Sequence, residues 1–156
     1  MPEPAILSIV FDDERHTGDF IRLNEKWISE HFSIEEADRK LAEKTFKIVT
    51  DGGHIITLLI EGVVKGVCAL FKEGGHCYQL ARMAVEPSER GKGYGTLLIQ
   101  AALERARTDG ATRVYLLSNT LLSSAIALYR KHGFRVVSEG KHPIYARCNI
   151  VMEIRW

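Results

Sequence analysis

The 156-residue sequence has no apolar run near the ~20 residues needed to cross a bilayer. Its start, Met1-Pro2-Glu3-Pro4, lacks the basic segment and apolar core of a secretory signal. It has no excess of either charge. Lys and Arg number 21 and Asp and Glu 20, leaving +1, so no bulk field directs the chain to nucleic acid or to an anionic membrane. Cysteine is scarce and odd in number: Cys68, Cys77 and Cys148, with no CxxC. That excludes a disulfide framework; Cys68 and Cys77 lie in apolar, strand-like runs and read as buried, reduced thiols of a cytoplasmic protein. The six histidines show no HxxxH and no His/Cys ligand spacing, so no metal is expected. Repeats and linkers are absent too. What remains is 46% hydrophobic and 26% charged, ordinary for one globular domain over residues 1–156. A chain of this size can bury roughly 70% of its unfolded surface.

The most informative stretch is Arg90-Gly91-Lys92-Gly93-Tyr94-Gly95-Thr96. It lies between a strand-like run ending at Val85 and a helical pattern from Leu97 to Arg107. Glycines at a helix entrance let the backbone take positive φ and leave free amides at the positive end of the helix dipole, which is an anion site. Two familiar phosphate loops do not fit. The Walker pattern needs lysine directly before Ser or Thr, and Lys92 precedes Gly93; the dinucleotide fingerprint needs GxGxxG in a first βα unit, and the spacing here is GxGxG past mid-chain. A nucleotide-triphosphate enzyme is therefore disfavoured.

Elsewhere the pattern reads in order. A strand spans 5–11. A helix ends at His31, with Phe20, Leu23, Trp27 and Ile28 on one face. Ser33 and Glu36 suggest a capping box for a helix over 34–44. Strands at 54–60, 63–71 and 76–85 are joined by glycine turns into an antiparallel meander. After the loop and its helix come a strand at 112–117, a helix at 122–132 stopped by Gly133, a strand at 134–137, a loop around Pro143 and a last strand at 147–155. The strand at 112–117 should lie parallel to the one at 76–85, because a helix crosses between them. The expected fold is a mixed α/β sheet of about seven strands, in the order β-α-α-β-β-β-α-β-α-β-β.

Arg90, Gly93 and Gly95 fill the pattern Arg/Gln-x-x-Gly-x-Gly/Ala. Ala81-Arg82-Met83-Ala84-Val85-Glu86-Pro87, Leu117-Ser118-Asn119-Thr120 and Ala125–Phe134, with its A-x-x-L-Y-x-x-x-G-F ending, flank it in order. Together with the element order, these segments resemble the GCN5-related N-acetyltransferases over essentially the whole chain. The resemblance implies the acyl-CoA N-acyltransferase fold, with a splayed central parallel pair of strands. It implies acetyl-CoA (coenzyme A) as cofactor and direct acetyl transfer to a primary amine, of a small molecule or a peptide, that the sequence does not identify. It also makes a homodimer an assembly to expect.

Carried over residue by residue, the resemblance assigns the pantetheine arm to Met83, Ala84 and Val85. It gives the pyrophosphate to the amides of Gly91, Lys92, Gly93, Tyr94, Gly95 and Thr96. Arg90 and Lys92 would supply charge on the 3′-phosphate or solvent side. Asn119 either bonds the arm or closes its strand end. Tyr129 matches the tyrosine that protonates the leaving thiolate, although an apolar helix face also suits a core tyrosine. Gln79 stands where a glutamate base is often found and cannot act as a base. Water oriented by Gln79, another group (His76, Glu86, Glu30 or His31) or an already neutral amine could meet that need. Without a base, a coenzyme A-binding sensor or interaction module is the alternative. The acceptor pocket should use Trp27, Glu30, His31 and Phe32 at the first helix end, with Tyr145 and Arg147. Arg147 could hold a substrate carboxylate or serve a structural ion pair.

Overall fold

The computed structural model describes residues 5–156; the signal-peptide reading of residues 1–4 lies outside them. Seven strands form one sheet in the order β1-β2-β3-β4-β5-β7-β6. The strands are β1 (Leu7–Phe11), β2 (His54–Ile60), β3 (Val63–Lys72), β4 (Cys77–Val85), β5 (Arg113–Ser118), β6 (Arg135–Glu139) and β7 (Ile150–Arg155). The helices are α1 (Thr17–His31), α2 (Glu36–Glu43), the short α3 (Lys47–Thr50), α4 (Tyr94–Thr108) and α5 (Ser123–Lys131). Among the described residues only β4 and β5 run parallel, joined by α4 as the sequence requires; the other pairings are antiparallel. No helix among the described residues is long and apolar enough to cross a membrane.

The central strands are apolar on both faces because both faces are covered. Ile56 and Leu58 of β2 and Cys68 and Leu70 of β3 pack with Leu98, Ile99, Ala102 and Ala106 of α4. The alternate residues, Ile55 and Leu59 with Val67 and Ala69, pack with Phe20 and Leu23 of α1 and Ile48 of α3. The two-residue period of the strands thus sorts one continuous apolar run into two cores. At the sheet end away from the loop, His54 bridges Asp12 (Nδ1, 2.8 Å) and Asp109 (Nε2, 2.5 Å), tying β1 and β2 to the end of α4.

Four local features depart from the sequence expectations. The capping box is made by Glu35 and Asp38, not Ser33 and Glu36: the Glu35 carboxylate accepts from the Asp38 amide, and the Asp38 carboxylate from the Glu35 amide. The pattern reading missed α3, a single turn too short to show a period. α4 begins at Tyr94 rather than Leu97. Gly93, at φ +84°, is its N-cap, and the first turn carries Gly95 and Thr96, which give no apolar signal. β7 begins at Ile150 rather than at 147, because Arg147 is drawn out of the strand line by bonds to α2 and to Asn119.

At Gly53, the entrance to β2, backbone passes close by. A Cβ there would lie 2.2 Å from the Leu70 carbonyl oxygen and 2.9 Å from that of Ile48. Neither backbone oxygen can turn aside. Gly53→Ala should therefore destabilise the fold by about 1–3 kcal/mol, as overpacked positions do, read as a lowered urea midpoint with unchanged slope.

Candidate active site

β4 and β5 pair through only three residues each: Cys77 with Arg113, Tyr78 with Val114 and Gln79 with Tyr115. Beyond that point each strand keeps its outer partner, β4 with β3 as far as Val85 and β5 with β7 as far as Ser118. The two strands therefore diverge, and the β5-facing edge of Leu80–Val85 has no strand partner. A bulge marks the same place: Ala69 pairs with Ala81 and Val67 with Ala84, so Arg82 and Met83 stand opposite Cys68 alone. Arg82 takes φ +58°, a conformation that costs a non-glycine residue about 1–3 kcal/mol and tends to mark functional sites.

The divergence opens a cavity of about 150 Å³. Met83, Leu116, Asn119, Ala125 and Tyr129 line the side toward α5; Trp27, Phe32, Phe71, Gln79, Arg82, Tyr145 and Arg147 line the side toward α1. Of the residues singled out in the sequence, Glu30 and His31 are off this wall. Glu30 instead takes both arms of the Arg90 guanidinium, at 3.1 and 2.7 Å. His31 packs beside Trp27, ring centroids 5.4 Å apart. Glu86 is held by Lys26 (2.7 Å) and Arg22 (3.1 Å). One stripe of α1, at positions 22, 26 and 30, is thereby stitched to the glycine loop.

In that loop Gly91 and Gly93 have φ +80° and +84°. Leu97 makes the first helical bond, to the Gly93 carbonyl at 3.2 Å, so the amides ahead of it lack helical acceptors. Lys92 donates to Glu89 at 2.8 Å. This nest sits where β4 delivers the chain, beside the unpaired strand edge. An unpartnered edge leading to an amide nest suits an elongated ligand with a polar arm and a diphosphate.

Tyr129 packs edge-on against Phe134 (centroids 5.9 Å), and burial pushes its hydroxyl up to about 12. It keeps its proton through the neutral range. Tyr115 lies behind Gln79, its hydroxyl 2.8 Å from Glu73 Oε1 and 3.3 Å from Gln79 Oε1. Burial, and then Glu73, raise its pKa. A hydroxyl has one hydrogen to give, and the carboxylate takes it on charge and distance. The Gln79 carbonyl is left able to accept from an N–H in the cavity. Asn119 donates to the Arg147 carbonyl (2.7 Å) and accepts from the Leu121 amide (2.9 Å).

The sequence reading missed a charge cluster around Asp38. Its carboxylate accepts from Arg82 (2.5 Å), from Arg147 (2.6 and 2.7 Å) and from the Glu35 amide (2.8 Å). Arg147 also donates to Glu35 at 3.0 Å. Asp38 and both arginines are almost wholly buried. Burial alone would push the Asp38 carboxyl up; the bonds from Arg147, the Glu35 amide and Arg82 outweigh it and hold the group at about 2. The available signal was Arg82 itself, a charge inside the apolar run Leu80–Val85.

A family model described as the acetyltransferase (GNAT) family matches residues 19–134. N-acetyltransferase family 8 member 2 of Rattus norvegicus is 31% identical over 94 residues, 60% of this chain; the chain spans only 40% of that relative's length. Two solved structures share the fold. A GNAT-family acetyltransferase of Staphylococcus aureus Mu50 superposes with a TM-score of 0.85 at 16% identity, over 96% of this chain and 99% of its own. A Salmonella typhimurium acetyltransferase solved with its cofactor acetyl-CoA gives 0.76 at 16% identity, over 96% and 94%.

Asp38→Ala should leave two buried guanidinium groups without their shared anion, lowering stability by about 3–5 kcal/mol in urea unfolding. The pH dependence follows from the sign of the Asp38 shift. A carboxyl at about 2 when folded, against 3.8 ordinarily, stabilises the fold fully above the higher value and loses that contribution as pH falls through the lower. Unfolding midpoints should drop between about pH 4 and pH 2, and Asp38→Asn should flatten that drop.

Proposed function

The chain belongs to the GNAT acetyltransferase family, a family model covering residues 19–134, and from that premise we propose that it is an acetyl-CoA-dependent N-acetyltransferase acting by direct transfer to a primary amine. The carrying observation is the divergence of β4 from β5 past Gln79 and Tyr115, which opens onto the amide nest at Gly91–Thr96. Acetyl-CoA, when bound, supplies an activated thioester. The unpaired edge at Met83–Val85 would hold its arm by main-chain bonds, as a strand holds its neighbour. The amides of Gly91–Thr96 would hold the diphosphate; Arg90, only half-buried in its pair with Glu30, is near enough in sequence to exchange partners toward that charge.

The remaining work falls to a few side chains. The Gln79 carbonyl accepts an N–H of the amine and turns its lone pair toward the cavity. The Tyr129 hydroxyl, still protonated because its pKa is about 12, gives its proton to the departing sulfur. Among the described residues no Asp or Glu lines the cavity, so the proton shed by an ammonium leaves through water rather than to an adjacent carboxylate. The same lack of a carboxylate favours a second reading, a coenzyme A-binding module with little turnover. The compartment that fits either reading is the cytoplasm, where three unpaired, buried cysteines stay reduced.

Thiol release from acetyl-CoA on an amine panel separates the two readings. Steady turnover supports the transferase; coenzyme-dependent thermal stabilisation without turnover supports the module. Gly93→Asn accepts the left-handed backbone and fills the nest, so it should abolish stabilisation by coenzyme A with the apo melting temperature nearly kept. Tyr129→Phe should lower kcat by about 100-fold, the usual scale for one acid catalyst, with coenzyme affinity unchanged; an unaltered kcat would remove the proton-donor role.

A further inference from the structure

Resting on the transferase reading, we infer that the acceptor is a small amine carrying a carboxylate and an apolar body, as an amino acid does, and not a polycation. On the wall toward α1 the charged side chains, Arg82 and Arg147, and the Tyr145 hydroxyl present donors, beside the amide groups of Gln79 and Asn24. Arg82 gives one N–H to Asp38 and one to Tyr145; Arg147 gives three, to Glu35 and Asp38. Each guanidinium has five to give. The Tyr145 hydroxyl already accepts from Arg82 at 2.5 Å, and its own hydrogen meets no acceptor among the described residues.

The balancing anions stand behind this wall. Asp38 borders a separate small cleft on the far side of Arg82, lined also by Phe20 and Leu41. Neither Asp38 nor Glu35 lines the cavity. The cavity therefore meets the positive ends of the ion pairs. The Tyr145 ring lies against both guanidinium groups, 5.3 Å from one and 4.7 Å from the other, which fixes where its hydroxyl points. Arg82 stands on this wall from a left-handed backbone, φ +58°.

A carboxylate supplies the acceptor oxygens that Arg82, Arg147 and Tyr145 lack, while Trp27, Phe32 and Phe71 cover an apolar body. The amine then extends toward Gln79. A second ammonium, as in a polyamine, would enter a cavity with two guanidiniums and, among the described residues, no carboxylate on its walls.

Matched acceptors test this on the whole 156-residue chain. Phenylalanine, methionine and leucine, their primary amides and their decarboxylated amines, with spermidine, are compared by kcat/KM for thiol release. The amino acids should exceed both forms lacking the carboxylate by about tenfold or more, the scale of a lost bond between a charged group and its partner. Tyr145→Phe keeps the ring and removes one donor, so it should shrink that ratio without changing stabilisation by coenzyme A. Amides or spermidine turned over as well as the amino acids overturn the inference and leave the transferase reading standing. A protein that coenzyme A stabilises no better than ATP removes both. If coenzyme binds and nothing turns over, Trp27 fluorescence decides, titrated in coenzyme A with N-acetylphenylalanine and its amide. At least about tenfold tighter binding of the carboxylate supports the inference; equal or undetectable binding overturns it.

Discussion

The constraint on which the site depends is that two neighbouring parallel strands stop pairing after three residues. β4 is committed to β3 through Val85, and β5 to β7 through Ser118. Each partner pulls its strand away from the other, and the bulge at Arg82–Met83 bends β4 at the start of the gap. An unpaired strand edge inside a sheet is costly unless something covers it. Here the sheet has a built-in vacancy for one more strand-like chain. α4 then starts at the mouth of the gap with its amides unspent, and on that juxtaposition the proposed coenzyme site rests.

Side-chain charge shapes the other wall. Two arginines buried almost completely would not be tolerated without an anion, and Asp38, at the first turn of α2, serves both. Its position depends on the capping box with Glu35, which fixes the carboxylate by its bond from the Glu35 amide. α2 thereby holds the loop of Tyr145 and Arg147 against β4. A single helix start joins three parts of the chain that are far apart in sequence. α1 does comparable work on the glycine loop, with Arg22, Lys26 and Glu30 meeting Glu86 and Arg90.

Much of this was legible in the sequence, and what was not has physical reasons. The order of the strands and of the longer helices, the parallel crossover and the glycine bend that opens α4 were readable, because period, glycine placement and topology rules are local or nearly so. Trp27, Phe32, Gln79, Met83, Asn119, Tyr129, Tyr145 and Arg147 were singled out beforehand and all border the cavity. Glu30 was expected on the acceptor wall; its pairing with Arg90 spans 60 residues and cannot be seen in a pattern. Asp38, one charge among several on its helix, carries no signal of its own in the sequence. Only the fold brings Arg82 and Arg147, 44 and 109 positions away, to the same carboxylate. Tyr115 was passed over because, in a strand, one more aromatic residue carries no sign of what lies behind it.

The central claim is that the gap beyond Gln79 and Tyr115 and the nest at its mouth form one coenzyme site. Amide hydrogen exchange with and without acetyl-CoA tests it directly. The account predicts slowed exchange together at Leu80–Val85 and at Gly91–Thr96, with β1 and β6 unaffected and no such change on adding ATP. Slowing at the glycine loop alone, or equally with ATP, would contradict it, because a generic anion nest needs no open strand edge.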